Sequence, residues 1–159
     1  MGLTNWAAGG ESSVAIGGLA EGFMNYEKGE VVWENKARLG YGVIRNGDAS
    51  NRFEKTDDQL ILSSKYSQKF NEKFLLTYGL NFRTQLDEGF KIENNQSTNE
   101  RVRRLISDFL SPGYIQASLG LTYRDGNGFT GTLSPFTGRF TFVLNDSLSA
   151  AGAFGVDPG

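Results

Sequence analysis

Three stretches of this chain alternate apolar and polar residues with a period of two, which restricts each to a β-strand with one oily and one wet face. Between residues 31 and 45, Trp33, Asn35, Ala37, Leu39, Tyr41 and Val43 share one face, and Glu34, Lys36, Arg38, Gly40, Gly42 and Ile44 share the other. Between 74 and 86 one face carries Phe74, Leu76, Tyr78, Leu80, Phe82, Thr84 and Leu86, opposite Leu75, Thr77, Gly79, Asn81, Arg83 and Gln85. Between 114 and 124, Ile115, Ala117, Leu119, Leu121 and Tyr123 oppose Gln116, Ser118, Gly120, Thr122 and Arg124. Twenty-one glycines and 13% aromatic residues, against three prolines, suit long strands joined by tight turns.

Weaker patterns extend this to six strands in one domain over 1–159: about 12–25, 31–45, 59–69, 74–86, 114–124 and 129–144. Ile61 interrupts the third, glycines blur the first, and Pro135 marks an edge, a bulge or a break in the last. Connections alternate between short (26–30, 71–73, 125–128) and long (46–57, 87–112). Val102, Leu105, Ile106 and Phe109 are spaced for a short amphipathic helix over 100–110. Short turns on one rim and long loops on the other are the habit of outer-membrane barrels.

Alternation does not say which face meets water. Small uncharged residues dominate the polar faces, which fits a crowded lumen. Trp33 and Tyr41, eight residues apart, span roughly 26 Å of strand, or about 20 Å along the membrane normal at a tilt near 40°. No apolar run approaches the roughly 18 residues of a membrane helix, a limit that does not apply to barrel strands. The expected fold is therefore an all-β, antiparallel up-and-down transmembrane β-barrel. Its lipid-facing residues would be Trp33, Leu39, Tyr41, Leu76, Leu80, Phe82, Leu119 and Leu121. Its lumen would be lined by Glu34, Lys36, Arg38, Arg83, Gln85 and Arg124, which set ion preference in an open pore or form an ion-pair network in a filled one. The alternative is a soluble β-barrel with its apolar face inward, holding a small apolar ligand.

With neither cysteine nor histidine, thiolate nucleophiles, Cys-ligated zinc and a Ser-His-Asp device are excluded within the chain. No catalytic residue, metal site or cofactor is assigned, and an enzyme is the least attractive class. A net charge of −2 gives no basic surplus for nucleic acid. Asp57 and Asp58 could hold a cation at a rim, or simply face Lys55. The 125–128 stretch resembles a calcium loop but lacks its spaced ligands, so a hairpin turn is the simpler reading. Arg101, Arg103 and Arg104 suit lipopolysaccharide phosphates, or are a solvated surface paired with Glu100 and Asp108. No signal peptide is visible in the first ten residues, although an outer-membrane location requires one.

Several stretches carry a family resemblance: Asn5-Trp6-Ala7-Ala8-Gly9-Gly10, Lys55-Thr56-Asp57-Asp58, Asn81-Phe82-Arg83-Thr84-Gln85, Ser107-Asp108-Phe109-Leu110-Ser111-Pro112-Gly113-Tyr114, Leu133-Ser134-Pro135-Phe136-Thr137-Gly138 and Gly152-Ala153-Phe154-Gly155-Val156. In this order they resemble an uncharacterised Bacteroidota family of predicted outer-membrane β-barrel proteins, a domain-of-unknown-function family. The resemblance implies location and architecture but supplies no catalytic residues. Proteins similar to this one run on for several more strands. Single-chain bacterial barrels use an even number of strands from 8 upward, so six imply an incomplete, N-terminal portion of a larger barrel. Its unpaired edges would call for the remaining strands or for self-association. The expected function is that of an outer-membrane barrel protein with a pore, transport or structural role, in contact with outer-membrane lipid.

Overall fold

Successive strands pair where a tight turn returns the backbone before any other partner is in reach. The computed structural model describes residues 2–4, 13–46, 53–94 and 101–156, with the backbone alone at 2–4, 46, 91–94 and 101–104. The stretch at 5–10 that carried part of the resemblance lies outside the described residues. The described residues form nine strands: β1 (Gly2–Thr4), β2 (Ser13–Lys28), β3 (Val31–Asn46), β4 (Glu54–Lys69), β5 (Phe74–Thr84), β6 (Gly89–Asn94), β7 (Arg101–Ser107), β8 (Gly113–Arg124) and β9 (Thr130–Phe142). One short helix, α1 (Asp146–Ala150), follows. No helix among them is long and apolar enough to cross a membrane.

Local chemistry makes the turns. Gly29, at φ +59°, takes the left-handed position between β2 and β3. Asn71 Oδ1 accepts the amides of Lys73 and Phe74 at 2.9 and 2.8 Å between β4 and β5. Asp125 Oδ1 accepts those of Asn127 and Phe129 at 2.7 and 3.0 Å between β8 and β9. The 125–128 stretch is thus a hairpin turn whose carboxylate is engaged by backbone.

The main sheet is antiparallel, seven-stranded and open, in the order β1-β2-β3-β4-β5-β8-β9. Closure into the expected barrel is not seen among the described residues. β1 covers only Ser13–Ala15 of β2, so among the described residues the rest of β2 is one free edge and β9 is the other. β9 is a single strand through Pro135, which lies at the sheet edge beside a register shift opposite Gly120. Ile61 sits on the polar face, paired directly with Arg38 and Arg83, where their aliphatic stems give it apolar neighbours.

Between β5 and β8 the chain forms a separate hairpin, β6-β7, and this corrects the helix expected over 100–110. Phe90 pairs with Leu105 and Ile92 with Arg103. A helix of about eleven residues is marginal by itself, and pairing with β6 satisfies the same backbone groups. The long loop expected over 87–112 is therefore mostly this hairpin, and β4 begins at Glu54, inside the loop expected over 46–57. After β7 a tight corner leads into β8. Ser111, fully buried, exchanges backbone bonds with Asp108 and accepts the Asn145 amide on its Oγ at 2.8 Å. Asn145 Nδ2 donates to Asp108 Oδ2 at 2.9 Å, and Asn145 Oδ1 caps α1 through Leu148.

The sheet is strongly rolled. Glu27 on β2 and Arg124 on β8 stand four strand spacings apart, which is about 19 Å across a flat sheet. Their side chains nonetheless approach to 3.7 Å. Only a sheet curled toward the face that carries both can bring them together.

Curvature demands close approach at Gly120, where an added Cβ would lie 2.3 Å from the Leu133 carbonyl oxygen. Gly120→Ala is expected to destabilise by about 1–3 kcal/mol through overpacking. Gly138→Ala, whose Cβ would meet nothing within 4 Å, should leave stability within about 0.5 kcal/mol. Equilibrium denaturant unfolding of the two variants provides the comparison.

Candidate functional site

Residues directly opposite one another in antiparallel strands share a face, so the registers define two faces without ambiguity. The face enclosed by the roll is polar. Ser67, Thr77, Thr122 and Thr132, from β4, β5, β8 and β9, form an unbroken row of hydroxyl contacts at 3.0, 2.7 and 2.8 Å. The first three are 2, 3 and 1% exposed. Each such hydroxyl both donates and accepts, so a continuous row satisfies buried oxygens that would otherwise be costly. Val32 and Leu75, on the same face, are the two buried apolar residues of the sheet among the described residues.

Eight charged residues on this face are paired across strands. Glu27 Oε1 meets Lys69 Nζ at 2.6 Å as well as Arg124 at 3.7 Å. Glu21 pairs with Lys36 at 2.9 Å and approaches Arg38 at 3.9 Å. Glu34 pairs with Lys65 at 3.4 Å. The six residues expected at a lumen thus divide. Glu34, Lys36, Arg38 and Arg124 belong to ion pairs. Arg83 has no ion-pair partner among the described residues. Gln85 follows β5, and among the described residues its buried Oε1 has no hydrogen-bond partner, nor has Arg38 Nε. The mixed signs of Glu34, Lys36 and Arg38 within one strand favour a network but name no partners. The structure pairs each with a neighbouring strand, because successive same-face residues lie farther apart than cross-strand pairs. Glu21, Glu27, Lys65 and Lys69 were missed because glycines and a broken alternation obscured the facing of their strands.

The other face is apolar and outward. Trp33, Leu39, Tyr41, Leu76, Leu80, Phe82, Leu119 and Leu121 all lie on it, since the registers link β3 to β8 through direct pairs. Leu80 is 54% exposed and Phe136 71%. Near the short-turn rim the pairs Tyr26–Trp33, Trp33–Tyr66 and Tyr66–Tyr78 run across four strands. Phe70, Phe74, Tyr123 and Phe129 continue the aromatic band with successive ring centroids 6.1, 5.2 and 6.4 Å apart.

The polar cluster at the long-loop rim is built by a bulge. Val43 pairs with Lys55 and Gly42 with Asp57, so the extra residue, Thr56, puts Lys55 on the same face as Asp58. The Asp58 carboxylate is buried and takes Lys55 Nζ at 2.7 Å together with the amides of Leu86 and Asp87 at 2.9 and 2.8 Å. Asp57 turns to the other face, near Gln59. The two carboxylates do not converge, and no cluster of three or more metal-ligating side chains occurs among the described residues. Tyr41 OH donates to Asp87 at 2.8 Å. That bond, with the Glu88 amide, holds the Asp87 carboxyl below its ordinary value. The side chains of Arg101, Arg103 and Arg104, and all of Glu100, lie outside the described residues.

The geometry defines an all-β protein built on a rolled antiparallel sheet with a polar, internally paired inner face and an apolar outer face. A family model described as "Protein of unknown function (DUF3078)" matches residues 1–90, more than half of the chain. The chain belongs to that family. Neither a curated protein nor a solved structure matches it.

Asp58→Ala removes the carboxylate partner of Lys55, whose ammonium keeps the Asp87 carbonyl oxygen, and leaves the Leu86 and Asp87 amides without their acceptor; it is expected to cost about 3–5 kcal/mol in denaturant unfolding. A pH effect follows from Asp87. Its folded value is depressed, so its stabilisation is complete above the ordinary 3.8 and is lost as pH falls through the lower folded value. Tyr41→Phe should lower the unfolding free energy at neutral pH, where that contribution is complete, and make little difference below the folded value, so that the acid-side dependence of unfolding free energy on pH shrinks.

Proposed function

We propose that this chain forms part of the wall of a bacterial outer-membrane β-barrel, with a pore, transport or structural role. The Trp33–Leu80–Leu121 face would lie against lipid, and the Glu34–Thr77–Arg124 face would line the lumen. One observation carries the reading: the face enclosed by the roll is polar and the exposed face is apolar. A water-soluble sheet buries the opposite side. The alternative, a soluble barrel with an apolar ligand inside, needs Leu80, Leu119 and Leu121 on the enclosed face, and they are on the other.

Supporting features agree. The strands of the main sheet from β2 onward have 11 to 16 residues, at or above the roughly 9–11 needed by a tilted strand to cross a bilayer. The aromatic band stands where a membrane interface would be. The ordered resemblance to Bacteroidota outer-membrane proteins points the same way. Free edges at β2 and β9 cannot remain unpaired in hydrocarbon. Their partners are further antiparallel strands of the same barrel or of a second copy.

Two measurements on protein reconstituted in phosphatidylcholine vesicles test this. In a Trp6→Phe background, Trp33 is the remaining tryptophan, and lipid brominated near the glycerol end should quench it more than lipid brominated at the chain end. Leu80→Arg should cost about 2–4 kcal/mol near mid-bilayer, while Thr137→Arg on the polar face should stay within about 0.5 kcal/mol. Unquenched Trp33, or equal costs for the two arginines, would overturn the reading.

A further inference from the structure

Two neighbouring cross-strand rows on the enclosed face frame an open trough of about 570 Å³, within the size range of small-molecule sites. One row runs Asn25–Glu34–Lys65–Gly79–Ser118, and the next Phe23–Lys36–Ser63–Asn81–Gln116. Gly79 has no side chain, and the Ser118 hydroxyl lies over it at the centre.

Three features of the lining select a ligand chemistry. First, the charges are already engaged: Lys65 holds Glu34 and Lys36 holds Glu21. An anion or cation would have to displace a partner. Second, hydrogen-bonding capacity is left over. The side-chain amides of Asn25 and Gln116 and the Ser118 hydroxyl make no hydrogen bond to protein among the described residues, and Asn81 donates through Nδ2 to Ser63, which leaves its carbonyl oxygen open. An amide offers a donor and an acceptor side by side, the pattern that matches a pair of adjacent hydroxyls. Third, Phe23 stands among these polar groups at the edge of the trough, 67% exposed, with Lys36 Nζ over one ring face 5.2 Å from the centroid and the rest of the ring open as an apolar platform. We infer that the trough binds a neutral polyhydroxylated ligand, of the chemistry of an oligosaccharide, with Asn25, Asn81 and Gln116 as hydrogen-bonding groups and Phe23 as the stacking surface. The inference rests on the proposed reading of this face as the water-filled side of the sheet.

The test uses the full chain in phosphatidylcholine vesicles, titrated with neutral hexasaccharides of glucose, xylose and mannose. Hexagalacturonate serves as the charged comparator and laurate as the apolar one. At least one neutral hexasaccharide should saturate the site with a Kd of about 10 mM or tighter. Its binding should not change between about 0.05 and 0.5 M salt, since no net charge is recognised. The double variant Asn25→Leu/Gln116→Met should weaken it about tenfold, and Phe23→Ala should weaken it too. Circular dichroism and Trp33 quenching of the variants establish that they are folded as the parent is. Absence of saturation by all three neutral sugars, binding confined to hexagalacturonate or laurate, or binding untouched in folded variants overturns the inference. If Trp33 is quenched and no neutral sugar binds, the membrane reading stands and the trough is not a sugar site. If Trp33 is unquenched and binding persists, the trough stands and the membrane reading falls.

Discussion

Glu27 reaches Arg124 across four strand spacings, and that contact has a physical precondition: the sheet must roll toward the side on which both residues sit. Once it rolls that way, side chains of the inner face are brought together and those of the outer face are spread apart. Crowding polar groups is tolerable only when each finds a partner, because an orphaned buried hydroxyl or charge is expensive. The Ser67–Thr77–Thr122–Thr132 row and the ion pairs of Glu21, Glu27 and Glu34 meet that condition. The outer face, with its large apolar side chains apart and exposed, is left with surface that water does not favour.

On the proposed reading, lipid removes that disfavour on the outer face and the wet lumen suits the inner one. The same reading accounts for the free edges, since a sheet in hydrocarbon has to complete its backbone pairing with more strands. The polar cluster of Lys55, Asp58 and Asp87, although on the apolar side, stands at the long-loop rim, where a bulge and the segment after β5 cover it. It fastens the start of β4 to the end of β5 and makes no demand on the span between the rims.

Several elements were legible because side-chain period alone specifies them. The alternation of 31–45, 74–86 and 114–124 falls within or close to β3, β5 and β8, and the eight outward candidates share one face because period-two residues and direct pairs keep their side. The Asp-Gly turn at 125–128 was readable for the same local reason. The β6-β7 hairpin was not. Its apolar spacing fits a helical turn as readily as a strand, and its choice depends on a partner strand that local spacing does not name. The ion pairs were also hidden, since Glu21 with Lys36 and Glu27 with Lys69 are joined by register, not by proximity in sequence. Neither the bulge at Thr56 nor the use of Asp58 as an internal clamp could be foreseen from a pair of adjacent aspartates.

From the amino-acid order came the strands, their two unlike faces, the tight turns and the absence of histidine and cysteine chemistry, because each of these depends on residues within a few positions of one another. Tertiary structure decided which face is enclosed, which charges meet, and that the described sheet is open with free edges at β2 and β9. Those outcomes depend on the direction of roll and on the registers between strands, and both arise from contacts among residues far apart in the chain.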